Sequence, residues 1–134
     1  MITSTHIPES QRLKHTAQMF GTHFPSLLEP TVYAITDHIA TEYSGGFWEF
    51  FALSNGGFYM APSSDADFKV SCENGYQGTL SADALGITVC LYAYSHLSFS
   101  NNPEPAEMCA QQFHLLRDYM LDHSEVEGIL RAID

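Results

Sequence analysis

The segment from Phe47 to Pro62, FWEFFALSNGGFYMAP, limits what this chain can fold into more than any other. It gathers Phe47, Trp48, Phe50, Phe51, Phe58 and Tyr59, with Tyr43 just upstream, around one Asn-Gly-Gly turn. Aromatic side chains have the largest burial energies per residue, so this segment must be near the core. Two strands and a tight connection are predicted. A four-residue loop over 54–57 sets Leu53 opposite Phe58, with Phe47, Phe51, Phe58 and Met60 on one side and Trp48, Phe50, Ala52 and Tyr59 on the other. Only Glu49 interrupts the apolar run. A hairpin apolar on both faces needs cover, so it is expected at the centre, under helices on at least one face.

At 134 residues the chain is expected to form one domain around a single core. No run approaches the ~18 apolar residues of a membrane span, and MITSTHIPES lacks a secretion-signal pattern, which points to the cytoplasm. Cys72, Cys90 and Cys109 are odd in number and widely spaced, and they read as buried apolar residues rather than a disulfide framework or zinc knuckle. Sixteen acidic against five basic residues give a net charge of -11. Five scattered cations, Arg12, Lys14, Lys69, Arg117 and Arg131, do not build a phosphate-binding surface, so direct nucleic-acid binding is not expected. DNA mimicry also falls short. Duplex DNA about 36 Å long, the expected width of this chain, carries roughly 21 charges.

Along the chain, residues 1–8 read as a loose tail. Leu13, Ala17 and Phe20 fall at helical spacing from Glu9, with Gly21 as the stop. Residues 23–26 are predicted as a connector. A second helix starts at Pro30 and carries Val32, Ile35, Ile39 and Tyr43 up to Ser44-Gly45-Gly46. After the aromatic hairpin, Phe68, Val70 and Cys72 alternate with polar residues as in a half-covered strand. A two-residue Asn74-Gly75 turn would split the apolar sets of this second hairpin. A three-residue loop of Glu73, Asn74 and left-handed Gly75 aligns Phe68, Val70 and Cys72 with Tyr76, Gly78 and Leu80. Ser81 then caps a helix running to about Leu97, with Asp83 in its first turn and little of its surface free for water. Residues 100–105 break the chain. A helix with Met108, Gln112, Leu115, Leu116, Tyr119 and Met120 follows, and a Ser124–Glu127 capping box opens the last one. The predicted class is α+β, an antiparallel sheet of about four strands in two hairpins, packed with four to five helices.

The seven histidines form no HExxH or HxH pattern, no GxSxG elbow is present, and the glycine pairs lack a phosphate-loop frame. No catalytic residue, metal ligand or cofactor is therefore assigned. Asn55-Gly56-Gly57 exceeds the needs of a plain hairpin, and Asp83, Arg117 and Asp134 are charges in apolar surroundings. The purely structural alternative gives Asp83 a helix-start role, Arg117 an ion pair along its helix and Asp134 no role.

Four stretches in order, YSGGFWEFFALSNGGFYMAP, LSADALGI, FHLLRDYM and the terminal RAID, resemble the antirestriction proteins of the ArdB and KlcA type from about Leu28 to Asp134. The resemblance implies a small cytoplasmic protein encoded on mobile DNA such as plasmids or prophages. Such a protein protects DNA from host type I restriction endonucleases while leaving methylation largely intact. It also implies a compact α+β fold and no established catalytic residues. The matching motif positions are Trp48, Asn55, Gly56, Gly57, Tyr59, Ser81, Asp83, Arg117 and Asp134, and all of these but the capping Ser81 become interaction candidates. The leading expectation is a non-enzymatic inhibitor that reaches the restriction complex directly or through an intermediary. An acidic DNA mimic, or a small hydrolase, is the alternative.

Overall fold

The computed structural model describes every residue from Met1 to Asp134. Strands β1 (Ser4–Ile7), β2 (Trp48–Leu53) and β3 (Phe58–Pro62) form one antiparallel sheet in the order β1-β2-β3; β4 (Asp67–Ser71) and β5 (Gln77–Ser81) form a second. Helices α1 (Arg12–Phe20), α2 (Glu29–Ile39), α3 (Ala82–Leu97), α4 (Pro103–Met120) and α5 (Val126–Ile133) complete the α+β fold. The predicted class holds, but the strands divide into two sheets, and β4 meets the end of α2 through an isolated Ala40–Val70 bridge.

The aromatic hairpin is central as predicted, and its register is shifted. Leu53 N–H donates to the Gly57 carbonyl, so the loop has three residues, 54–56, and Ala52 rather than Leu53 pairs with Phe58. Gly56 takes the positive φ of 92° that this turn requires. Phe58 and Met60 consequently lie with Phe50, while Tyr59 lies with Phe51. On the first face Phe58, fully buried, meets Phe20, Phe24 and Phe50 at ring separations of 5.4, 5.7 and 5.6 Å. Edge-to-face contacts of this kind add about 0.5–1.5 kcal/mol each to the area they bury.

All five residues of β3 are buried although it is an edge strand. Helix α3 lies along that edge rather than across the sheet. The Cys90 thiol sits 3.5 Å from Met60 N and 3.6 Å from its carbonyl, and Tyr94 OH donates to the Phe58 carbonyl at 2.8 Å. Pro62, with no N–H to leave unpaired, ends the strand. Gly86 allows the close approach: a β-carbon there would lie 2.4 Å from the Ala61 β-carbon and 2.5 Å from the Met60 carbonyl oxygen.

Several predicted details differ. Residues 4–7 are not a loose tail; they pair with β2 from Ser4–Leu53 to Ile7–Phe50. Helix α1 buries Thr16 and Phe20 and leaves Leu13 87% exposed, because Arg12 rather than Leu13 turns toward the hairpin. The expected connector is a π-helical turn, Phe24–Leu28, leading straight into α2, which stops at Ile39. Pro103–Pro105 belong to α4 rather than to a break. Ser124 makes no capping bond to α5; Glu125 holds the N-cap position, and its carboxylate is committed elsewhere. The second hairpin has the predicted register, with Phe68 opposite Leu80, Cys72 N–H donating to the Tyr76 carbonyl, and Gly75 at φ 93°.

Candidate functional site

Of the motif positions, Tyr59 and Asp83 are in direct contact. Tyr59 on β3 donates its phenol hydrogen to Asp83 Oδ1 at 2.7 Å, from the strand edge to the first turn of α3. His123, between α4 and α5, donates from Nε2 to Asp83 Oδ2 at 2.8 Å, while its Nδ1 accepts the Glu125 N–H at 2.9 Å. In the neutral ring that arrangement selects the tautomer with the proton on Nε2, and the charged ring keeps the Asp83 bond while giving up the one from Glu125. The Glu125 carboxylate accepts the Ser81 N–H at 3.0 Å and the Ser81 hydroxyl, while Ser81 Oγ caps α3 by accepting the Ala84 N–H at 3.2 Å. Three separated segments thus converge at the N-terminus of α3, where the helix dipole favours both carboxylates.

The electrostatics follow from these bonds. Burial is the largest influence on Asp83 and opposes its charge, but the hydrogen bonds from His123 and Tyr59 together outweigh it, so its carboxyl lies below the ordinary value. The Asp83 hydrogen bond raises His123 above the ordinary imidazole value against the effect of burial. Burial, then the Asp83 bond, pushes the Tyr59 phenol far up. Both Asp83 oxygens and both His123 nitrogens are occupied by protein groups. The cluster therefore acts as a latch that fixes the α4–α5 connection against α3. His123 and Glu125 were not legible as partners, because pairs some 40 residues apart leave no local spacing signal.

The other candidates separate. Asn55 clamps its own turn, accepting the Gly57 N–H at 3.0 Å and donating to the Leu115 carbonyl on α4 at 2.9 Å. Gln112 adds a bond to the Gly56 carbonyl at 3.2 Å, and a β-carbon at Gly57 would meet Leu53, Asn55 and Leu115 at 2.9–3.2 Å. The Asn-Gly-Gly motif is thus the joint between hairpin and α4. Trp48 is 3% exposed and donates its indole N–H to Tyr43 OH at 2.6 Å, which removes it from the surface. Arg117 is half-buried on α4 and forms none of the chain's ion pairs, contrary to the expected pairing along its helix. Asp134 is exposed at the chain end. An open groove of about 670 Å³ between α2 and α3, lined by Ile35, His38, Glu73, Tyr92 and His96 among others, contains none of the motif residues. No cluster of three or more His, Cys, Asp or Glu side chains is placed to hold a metal ion, and no helix is long and apolar enough to cross a membrane.

Comparison with known proteins places this architecture. A solved structure of the KlcA and ArdB proteins, described as a novel fold with antirestriction activity against type I DNA restriction systems in vivo but not in vitro, superposes with a TM-score of 0.91. It is 36% identical and covers 99% of this chain and 95% of its own. An antirestriction protein KlcA from Escherichia coli is 37% identical over 140 residues, covering 99% of this chain and 94% of the relative. The uncharacterized protein YfjX of Escherichia coli K12 is 40% identical over 138 residues, covering 99% and 88%. The family model described as antirestriction protein matches residues 41–134, from the loop before the aromatic hairpin to the last residue. The chain belongs to the antirestriction protein family.

Proposed function

We propose that this chain acts in the cytoplasm to protect DNA of mobile elements from cleavage by host type I restriction endonucleases, by a non-enzymatic block that leaves methylation largely intact. The observation that carries this reading is the likeness over 99% of the chain to proteins described as having antirestriction activity against type I DNA restriction systems in vivo but not in vitro. An activity seen in cells and lost among purified components fits an inhibitor that needs an intermediary, or that recognises only a transient state of the restriction complex. A ligand shifts an equilibrium only by its differential affinity, so binding the translocating state alone would spare methylation. The occupied hydrogen-bonding groups of the Asp83–His123 latch favour a scaffold over a catalyst. The net charge of -11 argues against direct contact with nucleic acid.

The test is phage plating on a host with an active type I system, with and without this protein, scoring methylation of the surviving phage in the same cross. Higher plating with methylation retained is expected. Equal plating in both strains removes the proposal. Joint loss of cleavage and methylation would indicate a DNA mimic, whose binding should also weaken steeply with salt.

A further inference from the structure

The strand β2 carries one charge in its apolar run, Glu49, and that charge lies on the sheet face opposite the buried phenylalanine cluster. Pairing places His6, Phe51 and Tyr59 side by side across β1, β2 and β3, with Glu49 two residues before Phe51 on the same face. Their rings form a continuous row: His6 meets Phe51 edge-on at 5.7 Å, Phe51 stacks on Tyr59 at 4.8 Å, and Tyr59 stacks on Tyr119 of α4 at 5.9 Å. Helix α4 covers only one end of the row. Phe51 and Tyr119 stay partly open to solvent, and the Glu49 and Asp83 side chains are 39% and 41% exposed. No lysine or arginine of the chain pairs with either carboxylate or stacks on these rings. Glu49 has only the exposed His6 at 3.5 Å.

We propose that this face receives an arginine-bearing segment of a partner protein, with one guanidinium taking the place of the exposed His6 ring against Phe51 while it pairs with Glu49. The proposal rests on the antirestriction reading and names the contact surface for it. Charge complementarity fixes the partner's sign, because an aromatic row bounded by carboxylates on an acidic protein repels phosphate and attracts a cation. The guanidinium is preferred to an ammonium because it is planar, weakly hydrated, and can stack while its edge bonds a carboxylate. The hairpin already holds one arginine over aromatic rings, on its other face. Arg12 sits 4.5 Å and 4.3 Å from the Phe47 and Phe50 ring centroids and donates to the Trp48 carbonyl at 2.5 Å. An acidic residue within an aromatic strand, otherwise costly to keep, then has a purpose at an interface, where arginine and aromatic residues dominate binding energy.

The experiment uses the full chain. Amide chemical-shift mapping is run with an arginine–serine repeat peptide, its lysine–serine counterpart and a glutamate–serine control. Shifts confined to residues 4–7, 49–51 and 119 are expected, saturating with the arginine peptide and several-fold weaker with lysine. Glu49→Gln should weaken binding about tenfold without lowering Tm, since Glu49 has no partner but His6. Glu49→Lys should abolish binding and also reduce protection in the plating assay. Phe51→Leu, which can loosen Tyr59, is read only alongside its own Tm. Shifts spread over the acidic surface in general, equal binding of arginine and lysine peptides, or full protection by Glu49→Lys would each overturn the proposal. If the wild-type chain gives no protection, the antirestriction reading fails by itself, and the shift map still decides the surface.

Discussion

Gly86→Ala sets helix propensity directly against packing. In an exposed helix interior the substitution stabilises by about 0.8–1 kcal/mol. Here the added methyl carbon would stand 2.4 Å from the Ala61 β-carbon, 2.5 Å from the Met60 carbonyl oxygen and 2.6 Å from the Ala61 α-carbon. Two of those are backbone atoms of β3 and cannot rotate aside. Comfortable carbon contacts begin near ~3.5 Å, so α3 has to withdraw from the strand by roughly 1 Å. Overpacking of this kind costs about 1–3 kcal/mol. Withdrawal also stretches the buried Tyr94–Phe58 hydrogen bond, worth about 1 kcal/mol. After the propensity gain is subtracted, the net loss is about 1–3 kcal/mol. For a chain of this length that lowers Tm by roughly 4–11 °C. Thermal and urea unfolding followed by circular dichroism measure it, with Gly128→Ala as the control. There the new methyl meets a Leu80 side-chain carbon at 3.1 Å, which can move, so near-neutral behaviour is expected. A Gly86→Ala protein as stable as wild type would mean that α3 does not touch the β3 backbone and that the edge is not sealed as described.

His123→Ala should cost about 1–2 kcal/mol, held down by the partial solvation of Asp83. Asp83, with a lowered folded pKa, contributes stability above the ordinary carboxylate value that is lost as pH falls through the folded value. His123, with a raised one, contributes below the ordinary imidazole value and loses that contribution as pH rises through its folded value. The gap between wild type and variant in urea titrations should therefore be widest between about pH 4 and 6.5, and a gap independent of pH would exclude the ion pair as its source. Asn55→Ala removes one bond within the turn and one to α4, and should lower stability by about 1–2 kcal/mol in equilibrium denaturation; no loss would mean the joint carries no energy. Burial pushes the Cys90 and Cys109 thiols up to about 12 and 11 and also raises Cys72, so none should react with a thiol reagent until the protein is unfolded. Rapid labelling of the native protein would contradict that placement.

The two hairpins show what the sequence could and could not reveal. In the second, polar and apolar residues alternate, so only one loop length keeps Phe68, Val70 and Leu80 on one face, and that register is found. In the first, apolar residues occupy both faces, parity carries no information, and the shift of one position was invisible. Strand β1 had no sequence signature because three of its four residues are exposed, and pairing with the β2 backbone, rather than any alternation of its own, makes it a strand. The Ser81 cap and Asp83 first turn were legible because helix starts have local signatures. The Ser124–Glu127 box matched a local pattern too, yet the adjacent Glu125 is bound across space to Ser81. Of the candidate site, Asp83 and Tyr59 were legible separately; their bond, and the part played by His123, arise only from tertiary packing.

The strand formed by Ser4–Ile7 has one further consequence. With the β3 side closed, these residues are the only backbone between the most aromatic strand of the molecule and its surroundings. A protease that trimmed the first eight residues would bare a ready template for intermolecular β-pairing.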